Sequence, residues 1–287
     1  MDVLISAGAQ LECSDTFSGL SAIHRAARLG TQPKILEMML RAKACVHLRD
    51  STGRGPLSHA AETDGGENLV DMLMEANASV DLNALDKIGC SALHIASSAP
   101  QRKFMLALIE ARADIEVKVE GGRTPLLQAL YYSDGNPTLI ESVNLLITAK
   151  ANIEARGGDG SEGSSKTALH FGRCPCTHTR LSASHSVLTI ELPACLEDSS
   201  FMCALLEANA DISAEEELGN TALHLASSRN CNDCVKLLCA AGADVNAVNH
   251  DGCTSLIEAA HWGQSLECAR ILVEFKVSIA NTEREEK

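Results

Sequence analysis

The feature that most constrains this chain is a phrase that it repeats. "TALHLA" (Thr221–Ala226) returns as "SAIHRA" from Ser21, "SALHIA" from Ser91 and "TALHFG" from Thr167, with worn copies at "GPLSHA", "TPLLQA" and "TSLIEA". A histidine close to hydroxyl groups is material for a hydrolase site, but such a site is normally built once. The first positions of the seven phrases are Ser21, Gly55, Ser91, Thr124, Thr167, Thr221 and Thr254, spaced by 34, 36, 33, 43, 54 and 33 residues. An underlying period near 33 marks a stacked repeat array. The repeated histidine is therefore read as architecture.

Each unit has a second half. "KLLCAAGADVNA" (Lys236–Ala247) recurs as "MLMEANASVDLN", "LALIEARADIEV", "NLLITAKANIEA", "ALLEANADISAE" and "ILVEFKVSIAN", and the opening "DVLISAGAQLE" is this half alone. The unit reads as helix, short turn, helix and extended loop. Ala222, Leu223 and Ala226 lie at helical spacing, and Thr221 is placed to cap them. The second helix carries Val235, Leu237 and Leu238 and stops at Gly242, where a left-handed residue is needed. Asn77 and Asn209 suit the same place, whereas Lys43, Arg112, Lys150 and Lys276 are costlier there. Helices this short cannot bury an apolar face alone, so neighbouring units must stack.

These residues resemble the ankyrin repeat, whose T-P-L-H-x-A-A phrase and G-A-D-V-N ending are matched most closely by "TALHLAS" and "GADVNA". The resemblance covers nearly all of the chain. It implies an all-α fold, an α-solenoid of helix-turn-helix units with projecting β-hairpin fingers, and a role in binding other proteins. It also gives the phrase histidines His24, His94, His170 and His224 a structural role, holding turn and finger. On this reading residues 1–287 form a single domain. A partial repeat covers 1–18, and full repeats start near 19, 53, 89, 122, 165, 219 and 252.

Departures from the period are local. Repeat four is lengthened at Tyr131–Pro137 and again at the Gly/Ser-rich Arg156–Lys166. The largest insertion, 172–195, falls in the fifth full repeat, where Gly172 and Arg173 stand in place of two alanines. It holds Cys174, Cys176, His178, His185 and Cys195. Their spacing lacks the paired pattern of a structural zinc site, so no metal or other cofactor is expected. Cys231 and Cys234 form a C-x-x-C, yet Cys234 occupies a core position of a repeat helix. Cys203, Cys239 and Cys268 likewise fall in apolar stripes and are read as reduced core residues. The chain has no G-x-x-x-x-G-K, H-E-x-x-H or G-x-S-x-G, and Val248 stands where a calcium loop needs an oxygen. No enzymatic activity is expected.

The resemblance also implies where a partner would sit. The concave face of fingertips and exposed inner-helix ends carries Arg28, Leu29, Arg54, Glu62, Lys87, Ile88, Glu120, Arg123, Glu217, Leu218, Arg229, His250, Asp251, His261 and Trp262. The net charge of −14 disfavours nucleic acid and anionic membranes. Glu215–Glu217 on one finger, with Asp159 and Glu162 on another, suggest a partner with a basic segment. No apolar run is long enough to span a membrane, and no secretion signal opens the sequence, so an intracellular, cytoplasmic monomer is expected. The chain opens inside a second helix and stops just after a finger begins. A repeat segment of a larger ankyrin-containing enzyme or channel, with its activity outside this chain, is therefore the alternative.

Overall fold

The computed structural model describes residues 9–29, 33–63, 65–75, 80–132, 139–157, 165–171, 200–263 and 266–285. Each phrase opens an inner helix: α1 (Ala22–Arg28), α3 (Pro56–Ala60), α5 (Ala92–Ser97), α7 (Pro125–Tyr131), α9 (Ala168–Phe171), α11 (Ala222–Ser228) and α13 (Ser255–Glu258). Each is followed by an outer helix: α2 (Pro33–Arg41), α4 (Glu67–Glu75), α6 (Arg102–Glu110), α8 (Leu139–Thr148), α10 (Ser200–Glu207), α12 (Asn232–Ala240) and α14 (Leu266–Glu285). The insertion 172–195 and the tip of the long finger, with Asp159 and Glu162, lie outside the described residues.

Two compact units are present, Met1–Ala129 with Glu141–Asn152 and Leu130–Ile140 with Ile153–Lys287. In the first, inner helices pack in the order α1, α3, α5 and outer helices in the order α2, α4, α6. In the second, α9, α11 and α13 form the inner row and α10, α12 and α14 the outer row. Alanine sets the inner spacing: Ala26, Ala27, Ala60, Ala61, Ala96, Ala226 and Ala259 are all buried, and small side chains let the helix backbones approach. The outer helices supply bulk through pairs such as Leu69 and Val70, Phe104 and Met105, or Phe201 and Met202. Burying each large side chain is worth roughly 1.5–3 kcal/mol, and every one needs the neighbouring repeat for cover. Cys234, Cys239 and Cys268 are buried among them, while Cys203 is only half-buried because Phe201, Met202 and Leu205 hold the inward positions. Burial pushes the Cys239 thiol up to about 11, which suits an inert packing residue.

Outer helices end as the sequence requires. Lys43, Arg112, Lys150, Asn209 and Gly242 have φ of 58, 65, 67, 60 and 92°. In each case the next alanine returns its N–H to the helix; Ala44 donates to the Met39 carbonyl and Ala243 to that of Leu238. Asn77 lies outside the described residues. The expectation fails at Lys276. Here α14 runs through for 20 residues where a turn and a finger were expected. The small flanks of the other turns, such as Ala42-Lys43-Ala44, are replaced by Phe275-Lys276-Val277, and the downstream "TERE" is rich in helix formers.

The fingers are antiparallel hairpins reduced to single bridged pairs: Ser14 with Ser21, Gly157 with Lys166, Glu215 with Thr221, and Val248 with Thr254. Adjacent tips are joined through their backbones. Ser51 N–H donates to Ser18 O at 2.9 Å, Lys87 N–H to Thr52 O at 3.0 Å and His250 N–H to Leu218 O at 2.9 Å. Such close approach leaves room only for glycine. At Gly89, φ is +78° and an added Cβ would lie 3.0 Å from the Glu120 nitrogen, whereas Gly252, at φ +73°, meets nothing within 4 Å. Left-handed strain alone costs about 1 kcal/mol or somewhat more. Gly89→Ala should therefore cost about 2–3 kcal/mol and Gly252→Ala about 1 kcal/mol, read from urea midpoints. Equal losses at the two sites would contradict the tip-to-tip contact.

Candidate functional site

The hydroxyl-and-histidine phrase is a brace. Ser21, Ser91, Thr167 and Thr221 donate their backbone N–H to Nδ1 of His24, His94, His170 and His224 at 3.2, 3.3, 3.1 and 3.2 Å. Their hydroxyls lie 2.7–2.9 Å from the same nitrogen. The opposite nitrogen, Nε2, faces a carbonyl of the next finger: Leu48 at 3.0 Å, Arg123 at 3.2 Å, Asn220 at 3.0 Å and Cys253 at 3.1 Å. A backbone N–H can only donate and a carbonyl can only accept. Each ring is thus fixed as the neutral Nε2–H tautomer. Burial pushes His24, His94 and His170 below the ordinary imidazole value, His94 to about 4.

A second set of polar residues, missed by the sequence reading, shapes each fingertip. Asp50 Oδ1 accepts from the N–H groups of Thr52 and Arg54 at 2.8 and 2.9 Å. Asp86 does the same for Ile88 and Cys90, Glu216 for Leu218 and Asn220, and Asn249 for Asp251 and Cys253. The period itself was the available signal, since these residues stand three positions before Gly53, Gly89, Gly219 and Gly252. Val119 lacks such an acceptor, and its tip is turned by two positive-φ glycines, Gly121 and Gly122. At the finger base, Asn83, Glu116 and Glu154 accept the N–H of Asp114, Asn152 and Asp211 in the following finger, at 2.6–2.8 Å. Part of the acidic charge is thus structural. Glu216, from the triplet expected to face a partner, is only 8% exposed.

The remaining expected site residues divide into tied and displayed groups. Arg54 is tied to Glu62 at 2.6 Å and to Asp86 at 3.2 Å. Arg123 donates to Gln128 at 2.8 Å, and Arg229 is half-buried at the end of α11. Displayed on the first unit are Arg28, Leu29, Lys87, Ile88 and Glu120, with Ile88 60% exposed. The second unit displays Glu217, Leu218, His250, Asp251 and His261, with Leu218 59% exposed. The sequence reading also missed Phe17, a fingertip side chain that is 96% exposed. Trp262 belongs to a π-helical turn at Ala259–Gly263, and its side chain lies outside what is described. Among the described residues no group of three or more His, Cys, Asp or Glu side chains could hold a metal ion, and no helix is long and apolar enough to cross a membrane. The insertion's cysteines and histidines are not among those residues.

This geometry has known counterparts. The family model for ankyrin repeats (3 copies) matches residues 193–283. The ankyrin repeat domain of Bcl-3 superposes with a TM-score of 0.66 at 23% identity, covering 88% of this chain and 98% of that one. The human ASB11 ankyrin repeat domain gives 0.66 at 19% identity, covering 89% and 98%. The fold is thus that of an ankyrin repeat domain, and residues 193–283 also carry the repeat's sequence. Among curated relatives, the Gallus gallus nuclear factor NF-kappa-B p105 subunit is 27% identical over 83% of this chain and 21% of its own length. The Mus musculus protein phosphatase 1 regulatory subunit 12A is 50% identical over 20% of this chain and 5% of its own length. This chain thus spans a small part of the relatives it matches.

The sign of the histidine effect follows from the locked tautomer. The neutral brace contributes fully above the free-histidine value of 6.5 and is lost as pH falls toward about 4 for His94. NMR titration of His94 should give a midpoint near 4. The associated loss of stability between the two pH values is about 3 kcal/mol. A His94 midpoint of about 6 would contradict the locked ring.

Proposed function

We propose that the chain is a non-catalytic scaffold that binds another protein along its fingertips and the adjoining ends of its inner helices. The observation that carries this is how each tip divides its groups. The backbone and one acidic or amide side chain are used up in the turn and in joining the next tip. The two side chains before the glycine, Lys87 and Ile88 on one finger and Glu217 and Leu218 on another, carry no hydrogen bond or ion pair among the described residues. Exposed aliphatic groups beside unpaired charges suit recognition of a protein surface better than solubility alone.

For the second unit the proposed partner segment is basic. Glu215, Glu217 and Asp251 are exposed there beside Leu218 and Val248, and the net charge of −14 disfavours nucleic acid. On the same reading the protein acts as a cytoplasmic monomer, in keeping with thiols such as Cys234 and Cys268 serving as core residues. A second reading rests on the relatives' length: they carry their matching segment inside far longer chains, and this chain would then be the docking segment of a larger protein.

The test is affinity capture from native lysate with the parent and with a Glu217→Lys, Leu218→Arg double variant, both checked for helical content. The double variant should bind a partner held by the parent at least about tenfold more weakly, with a flatter salt dependence. Undiminished binding by the folded variant would remove the second unit's fingertips from the proposed surface.

A further inference from the structure

One cluster of buried titratable groups serves neither the repeated brace nor the displayed tips. In the second repeat, Ser58 takes the place of the bracing histidine and the imidazole moves one residue on, to His59. One helical position is a rotation of about 100°, which turns the ring away from the next finger and toward its own. There His59 Nε2 lies 2.9 Å from Asp50 Oδ2, with the two side chains only 8% and 6% exposed. The same ring lies edge-on to His24 of α1, centroid to centroid 5.4 Å. His59 Nδ1 is buried and has no hydrogen-bond partner among the described residues.

We propose that the joint between the first two helix pairs is an acid-sensitive latch, closed while His24 is neutral and its ring packs edge-on to His59, which in turn is held by the carboxylate of Asp50. His24 cannot accept a proton in place, because its Nδ1 already receives the Ser21 N–H and its Nε2–H is committed to Leu48 O. Burial and the neighbouring His59 both act against its charged form. Asp50 is ionised in the closed joint. Burial opposes its charge, but hydrogen bonds from Thr52, Arg54 and His59 outweigh that and hold its carboxyl at about 2.

Among the described residues, the other charged groups on the elements packed against the pair are exposed, half-buried or already paired; on α2, Lys34 is exposed and Glu37 is paired with Arg41, and on the finger His47 is exposed. On α1, Arg25 is paired with Asp15 and Arg28 is exposed; on the finger, Arg49 is exposed and Arg54 is held by Glu62 and Asp86. On α4, Glu67 is half-buried and Asp71 exposed, and His94 of α5 is bonded into the next joint at Arg123 O. The joints at His94, His170 and His224 carry Ile95, Phe171 and Leu225 beside the brace, none of which titrates. Opening the first joint exposes the His24 ring to water, where imidazole takes its proton near 6.5. Below that value opening takes up one proton, and the ratio of closed to open falls by about tenfold per pH unit.

The test is hydrogen–deuterium exchange of the whole chain between about pH 7.5 and 5, corrected for intrinsic rates and read in α1, α3 and α5. In the parent, protection of α1 and α3 should fall about tenfold per unit below the imidazole value, and α5, whose His94 brace also takes up a proton on opening, serves as the joint that neither variant changes. Two variants copy residues that the chain already uses at equivalent positions. Asp50→Asn follows Asn249, which makes the same fingertip bonds through its amide oxygen; it removes the counter-charge and should move opening to higher pH. His59→Ile follows Ile95; it removes the second ring and should move opening to lower pH. Shifts in the same direction for both variants, or shifts in α5 as large as those in α1 and α3, would overturn the latch.

Discussion

The bond on which this structure depends runs from a histidine in an inner helix to a carbonyl in the next finger. It spans 24 residues of sequence between His24 and Leu48, and 50 between His170 and Asn220. Its geometry works only for a neutral ring with the proton on Nε2, and the N-cap backbone N–H enforces that tautomer from the other side. One side chain thereby caps its own helix and fastens the neighbouring repeat. Helices of four to seven residues have little stability alone. Such a brace, together with the apolar contact between repeats, makes each inner helix conditional on the next unit.

The fingers solve a different problem. They project from the stack, so their backbone polar groups need local partners. Asp50, Asp86, Glu216 and Asn249 supply these by folding back onto the amides of their own turns, and Asn83, Glu116 and Glu154 extend the pattern from finger to finger. Positive-φ glycines then let the tips touch. Because the turn is satisfied internally, the residues just before each glycine can vary without loss of the fold. Lys87 and Ile88, Glu217 and Leu218, and His250 and Asp251 are chemically unlike one another on equivalent frames. That freedom is what allows a repeat surface to encode a binding preference.

The fold was legible in the sequence to the extent that it is local. The phrase located the inner helices, and the positions of Lys43, Arg112, Lys150 and Asn209 foretold left-handed helix ends even where no glycine stands. The candidate surface was legible only in outline. Arg54 and Glu62 sit at the right positions but neutralise one another, and Glu216 sits in an acidic triplet but spends its carboxylate within its own tip. The periodicity places a residue on a face; it does not say what partner that residue finds there. The end of the chain shows the same limit, since the aligned position of Lys276 suggested a turn while its flanking Phe275 and Val277 admitted a continuous helix.

The sequence by itself determined the repeat, its period, the helix pairs and the recurrence of the histidine, because each follows from spacing and from residue types whose backbone preferences are intrinsic; that this histidine joins neighbouring repeats was what the resemblance implied. The tertiary structure alone decided which charges are displayed and which are consumed. It also decided why certain glycines admit no side chain and where one buried imidazole meets a carboxylate and packs edge-on to a second ring. Those outcomes depend on distances between groups tens of residues apart, and such distances exist only after the repeats have stacked.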